Sequence, residues 1–203
     1  MVGGMDERIL QAAIDVASVH GIGRLSVADV ARRAGISRPT LYKHFPSKDA
    51  LVAAAVHREA SAIVQAVVDD AASIADPRQA LEASVLASLR LAREHPLLDR
   101  VVRTEPQLLV PLLTTDHGLV VAVVRGPVEA VIADRFPALD ATTSRRLADM
   151  IFRLLVSYTL SSPDDPPEVV AAAMAGLLVD GALAAEAAAA PTPAAAAPAA
   201  SDL

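Results

Sequence analysis

Six cations fall within or beside residues 25–51, LSVADVARRAGISRPTLYKHFPSKDAL: Arg24, Arg32, Arg33, Arg38, Lys43 and Lys48, set against Asp29 and Asp49. Lys43 and Lys48 are the only lysines of the chain. Guanidinium and ammonium groups at this density neutralise phosphates, and on a helix in a major groove they also donate to guanine O6 and N7. Ser26, Thr40 and Tyr42 add hydroxyls suited to phosphate oxygens. Elsewhere the chemistry is thin. His20, His44, His57, His95 and His117 are scattered, with no paired spacing for a metal. Gly3-Gly4 and Gly21-Ile22-Gly23 lack the strand that a phosphate loop requires, and no Gly-x-Ser-x-Gly is present. Cysteine is absent, which removes disulfides and thiol chemistry. No metal, cofactor or enzymatic activity is expected.

Local signals arrange these side chains on short helices. Ser26 is placed to cap a helix starting at Val27, with Asp29 in its positive first turn. Val27, Val30 and Ala31 recur at helical spacing, and Ala34-Gly35 offers a small residue and then one tolerant of positive φ. Ser37 caps the next helix, where Pro39 costs nothing because first-turn amides have no partner. Leu41 and Phe45 bury one face, leaving Arg38, Thr40, Tyr42, Lys43 and His44 on the other. Ser47 caps a third helix, with Lys48 at its start. Two small helices around a glycine turn form a helix-turn-helix, whose second helix reads DNA.

The motif resembles the DNA-binding domain of the TetR family of transcriptional regulators. The resemblance runs through Ser26, Asp29-Val30-Ala31, Ala34-Gly35-Ile36-Ser37, Thr40-Leu41-Tyr42, Lys43, Phe45 and Ser47-Lys48, preceded by a helix with Ile9, Ala12, Ala13, Val16 and Ala17 and ending at Gly21. The chain departs at Ser26, where Thr is commoner, and at Arg38-Pro39, where a small residue is frequent. The resemblance implies phosphate contacts from Tyr42 and Lys48. Ser26 offers a hydroxyl at a helix N-terminus. Arg38, Thr40 and Lys43, with Pro39 in the same first turn, are candidate base readers; the alternative is that they touch backbone alone. His44 either bonds a phosphate or covers the helix end.

Net charge is −6, but it is unevenly spread: residues 1–60 balance at +2 and the rest at −8. An acidic body suppresses non-specific binding while one basic end attracts DNA. The expected organisation is all-α: a helix-turn-helix domain over residues 5–50, a helical effector-binding and dimerisation domain over 51–188, and an Ala/Pro-rich disordered tail over 189–203. Residues 1–4 are expected to fray. No run reads as long and uncharged enough to cross a bilayer, and no signal peptide is visible, so a cytoplasmic protein without a membrane partner is expected.

Helices are expected at about 49–69, 77–95, 97–103, 106–113, 116–136 (kinked or broken at Gly126-Pro127), 141–160 and 167–188. The last two are apolar on two sides and need two partners. In TetR-like proteins such a pair forms a four-helix dimer interface, here assigned to Phe152, Val156, Leu160, Val170, Ala173, Met174 and Leu177; the alternative is a monomer that buries both helices internally. The resemblance also implies a small-molecule effector held among the middle helices. Candidate lining residues are Leu86, Leu89, Arg90, Val102, Arg103, Leu109, Leu113, Val121, Arg125, Phe152 and Leu155, each of which also reads as plain core or surface. Arg153 and Tyr158 are further polar candidates, although Arg153 can pair with Asp149. Aromatics make up 2% of the chain, which favours an aliphatic effector over a planar one. The expected function is a dimeric repressor of operator DNA, released by that effector; the alternatives are a regulator without an effector, or an activator.

Overall fold

Helix boundaries fall where the sequence supplies caps. The hydroxyls of Ser37 and Ser47 accept from Thr40 N and Ala50 N, and the carboxylates of Asp76 and Asp140 accept from Gln79 N and Thr143 N. Each bond satisfies an amide that has no partner within its helix. The computed structural model describes residues 2–107, 119–161 and 164–189, which form helices without strands. In chain order these are α1 (Val2–His20), α2 (Val27–Arg33), α3 (Arg38–His44), α4 (Lys48–Ala72), α5 (Pro77–Glu94), α6 (Pro96–Thr104), α7 (Leu119–Arg135), α8 (Ala141–Leu160) and α9 (Pro167–Ala189).

Two cores result. The first gathers Ile9, Ala13 and Val16 of α1, Val27, Val30 and Ala31 of α2, Leu41 of α3 and Leu51 of α4. It also takes in Leu97 and Val101 of α6, so the helix-turn-helix end is completed by a helix from the body. The second core joins Val85 and Leu89 of α5, Ile132 of α7 with Phe136 just beyond its end, Leu147 and Ile151 of α8, and Val170, Met174 and Val179 of α9. Helix α4 links the two, packing on α1 at one end and on α5 and α7 further along. Its C-terminal carbonyls receive the Arg135 guanidinium, which donates to Ile74 O at 2.7 Å and to Ala71 O and Ala72 O. That places a cation where unpaired carbonyls accumulate.

Several expectations change. α7 runs through Pro127 without interruption, because the ring removes one amide donor and its neighbours carry the helix on. α1 begins at Val2 and already includes Gly3 and Gly4, rather than fraying there. Two helices, α4 and residues Pro167–Ala188 of α9, are long and apolar enough to cross a membrane by length and composition, with hydropathies of 1.4 and 1.7. The sequence reading, which found no such run, is corrected. Both pack within the fold, α4 on α1, α5 and α7, and α9 on α5 and α8. The helix expected at 106–113 lies mostly outside the described residues, as do positions 190–203 of the tail.

Candidate nucleic-acid interface and effector cavity

The helix-turn-helix closes by backbone bonds that glycine permits. Gly35 has φ +65°; its amide donates to Arg32 O and that of Ile36 to Ala31 O. These two bonds form a Schellman cap that ends α2 and aims the chain into α3. Beneath, Leu41 is fully buried and anchors α3. α2 is braced to α1 by Arg33, whose Nε and Nη2 reach Asp15 Oδ2 at 2.9 and 2.7 Å. The Gln11 amide, together with Arg33, holds the Asp15 carboxyl below its ordinary value.

On the outer face of α3, Arg38, Pro39, Tyr42 and Lys43 are exposed. This is the arrangement a groove-reading helix needs, with cations and a phenol outward and an aliphatic anchor inward. Thr40, His44 and Lys48 are engaged within the protein. Thr40 is half-buried, and its hydroxyl lies 2.8 Å from Ser37 Oγ in the cap of α3. His44 Nδ1 bonds Asp6 Oδ1 on α1 and so ties down the end of α3. Lys48 Nζ donates to Gly23 O at 3.0 Å, which leaves two ammonium hydrogens for a phosphate. Ser26 occupies the cap position of α2, but its side chain makes no capping bond there.

The loop between α1 and α2 is held from two sides. Lys48 takes Gly23 O, and Glu105 Oε2, beyond the end of α6, accepts from Gly23 N at 3.2 Å. Gly21 has φ +89°, and a Cβ there would stand 2.7 Å from Glu105 Oε2. Only glycine lets the carboxylate sit so close.

A cavity of about 570 Å³ lies between α4, α5, α6, α7 and α8. Val56, Ile63 and Val67 of α4, Leu97 and Val101 of α6, and Phe152 and Leu155 of α8 line it, together with Ile22 from the α1–α2 loop. Such a volume and such walls suit a small apolar ligand. Of the residues assigned to a pocket from sequence, Phe152 and Leu155 line this space. Leu86 and Leu89 pack in the second core, Val102 packs against the first, and Val121 is buried outside the cavity wall. The arginines point elsewhere, because each finds a carboxylate nearer than the cavity: Arg90 meets Glu168 at 2.6 Å, Arg103 meets Asp99, and Arg125 meets Asp149 at 2.8 Å. Arg153 also reaches Asp149, at 2.6 Å, and its hydrogen bond is the main cause lowering that carboxyl's pKa. Leu109 and Leu113 lie outside the described residues. Sequence reasoning missed Ile22, Glu59 and His95, whose types carry no pocket signal until the helices enclose a hollow, and Glu105, which holds the α1–α2 loop.

The final helices also correct the assignment of their outer face. Phe152 and Val156 turn into the cavity, Leu160 packs on the first core, and Val170 and Met174 are buried in the second. The face left open carries Met150, Leu154 and Tyr158 of α8 and Val169, Ala173 and Leu177 of α9, each set at intervals of four. Leu177 is 77% exposed and Val169 52%. Both helices are apolar on two sides, and packing decides which side the body takes.

A buried helix-turn-helix core, an outward basic recognition helix and an apolar cavity separated from it by α6 define a helix-turn-helix DNA-binding regulator. Comparison with known proteins agrees. Residues 9–55 match the family described as "Bacterial regulatory proteins, tetR family", and residues 76–180 match "Bacterial Tetracyclin repressor, C-terminal domain". The chain belongs to the tetR family of transcriptional regulators. An uncharacterized HTH-type transcriptional regulator of Mycobacterium bovis is 29% identical over 168 residues, covering 82% of this chain and 85% of that one. The regulator AlkX of Mycobacterium tuberculosis is 27% identical, covering 85% and 82%. Among solved structures, the TetR family repressor AlkX from Dietzia, implicated in biodegradation of n-alkanes, superposes with a TM-score of 0.69 at 22% identity, covering 87% of this chain and 94% of that one. FadR from Bacillus subtilis in complex with stearoyl-CoA gives 0.60 at 17% identity, covering 86% and 98%. These relatives are regulators, not enzymes.

Proposed function

We propose that the chain acts as a homodimeric repressor that leaves its operator when a small, largely aliphatic effector fills the cavity. The observation that carries this reading is the double role of α6. Leu97 and Val101 belong to the core of the DNA-reading end and at the same time form a wall of the cavity. Beyond the same helix, Glu105 grips the loop in which Ile22 faces the cavity. A ligand that displaces this wall must move the α1–α2 unit with it. Such a ligand releases DNA only to the extent that it binds the released conformation more tightly, and near-complete switching takes a preference of about 10⁴-fold.

Dimerisation is supported by the open face of α8 and α9. Exposed leucine, valine and methionine contiguous over two helices form a patch that water disfavours and a second copy can cover with the same residues. Two copies also double the bases read by a seven-residue helix. One solved relative implicated in biodegradation of n-alkanes and another in complex with stearoyl-CoA make an aliphatic effector the natural first class to test. Binding of the protein to DNA from upstream of its own gene, followed by fluorescence anisotropy with and without aliphatic ligands, tests the reading. No binding at low salt rejects it.

A further inference from the structure

The polar groups of the cavity are one-sided. Glu59 of α4 and His95, which caps α6, both line it, and His95 Nε2 lies 2.8 Å from Glu59 Oε1. The other ring nitrogen, Nδ1, accepts the Leu98 amide. The imidazole proton therefore sits on Nε2 and is donated to Glu59, leaving no N–H for a ligand. Ser84, Ser88 and Thr159 also line the space, and each hydroxyl donates to a carbonyl one turn back, those of Ala80, Ser84 and Leu155. The two terminal nitrogens of Arg135 are drawn onto the carbonyls at the end of α4. Among the described lining residues, Glu59 and Asp134 bring carboxylate lone pairs, and Arg135 brings the one arginine.

We infer that the cavity takes an aliphatic chain ending in a neutral hydrogen-bond donor, a primary alcohol, and discriminates against the matching carboxylate. This inference rests on the effector reading above. A carboxylate head would enter an apolar site facing Glu59; Arg135, the lining arginine, has its terminal nitrogens on backbone carbonyls, and Arg58, whose buried Nη1 makes no hydrogen bond, already faces two carboxylates, Glu7 and Glu59. A primary ammonium would find Glu59 attractive but must shed a stronger hydration shell, and Arg58 already stands 3.5 Å from Glu59 Oε2. A hydroxyl donates to Glu59 without bringing a charge. It also reaches a point of leverage. Arg58 Nη2 holds Glu7 and Gln11 on α1 at 2.7 Å each, so a head group that draws Glu59 inward competes for the residue beside that tether.

Isothermal titration calorimetry of the intact protein near neutral pH, with decan-1-ol, decanoate and decylammonium, tests the inference. Decan-1-ol should bind about tenfold or more tighter than either charged analogue, the scale of one hydrogen bond to a charged acceptor. Glu59→Gln keeps an acceptor oxygen and the side-chain size but removes the charge, so the gap between alcohol and carboxylate should narrow. The wild-type comparison stands even if that variant folds poorly. Decanoate or decylammonium binding as tightly as the alcohol overturns the head-group inference and leaves the effector reading intact. Absence of binding by all three overturns both.

Discussion

Gly21→Ala probes the contact between the effector body and the DNA-reading end, and its cost can be worked from two terms. The first is conformational. At φ +89° an alanine pays about 1–2 kcal/mol for left-handed backbone. The second is steric: the new Cβ would stand 2.7 to 2.8 Å from the Glu105 carboxylate, which must swing away and lose its bond to Gly23 N. That bond lies at the surface, so its loss adds about 1 kcal/mol. Gly35→Ala provides the control, because φ is +65° there and a Cβ would meet nothing within 4 Å. It should cost the first term alone. Urea unfolding at fixed protomer concentration should therefore place Gly21→Ala about 1 kcal/mol below Gly35→Ala. In a Glu105→Ala background that difference should vanish. Equal costs of the two glycine substitutions in the wild type would refute the idea that α6 reaches the loop through Glu105.

Three further outcomes are expected. Lys43→Ala should change which operator bases are preferred, by about 1–3 kcal/mol at one position, whereas Lys48→Ala should weaken binding to all sequences and lower the salt slope by about 1; anisotropy across an operator library and a salt series separates them. Leu177→Glu places a charge on the open face of α8 and α9, and sedimentation should show a shift from dimer to monomer without loss of helicity; an unchanged dimer moves the interface elsewhere. Asp15 has a folded pKa lowered by Gln11 and Arg33. The unfolded chain thus takes up that proton first as pH falls, so the stabilisation is complete above about pH 4 and is lost below it. Asp15→Asn should flatten that acid limb in pH-dependent unfolding, and an unchanged limb would show that Asp15 does not contribute to it.

The DNA-reading end was legible from sequence because its signals are local. A cap at Ser37, a turn glycine at Gly35 and Leu41 four residues before Phe45 each act within one or two helical turns, and all point to the same element. The cavity was less legible. Leu86, Leu89 and Val102 have the same apolar character as Val56, Ile63 and Val101; which of them face a hollow and which fill a core depends on helix crossings that no local period encodes. The arginines Arg90, Arg103 and Arg125 misled for a related reason, since their partners Glu168 and Asp149 are distant in sequence, and even Asp99, four residues from Arg103, competes silently with a pocket. In α8 and α9 the pattern correctly showed two apolar sides. Only packing reveals that Phe152 and Val156 serve the cavity while Met150, Leu154 and Tyr158 are left on the open face.

The central claim is that cavity occupancy and DNA affinity are coupled through α6. It is tested most directly by titrating a protein–operator complex, in fluorescence anisotropy, with a ligand that calorimetry has shown to bind this chain with one site per protomer. The coupling predicts a saturable loss of DNA binding at the calorimetric affinity, and a weaker loss in Glu105→Ala. A ligand that fills the site while operator affinity stays unchanged would contradict it.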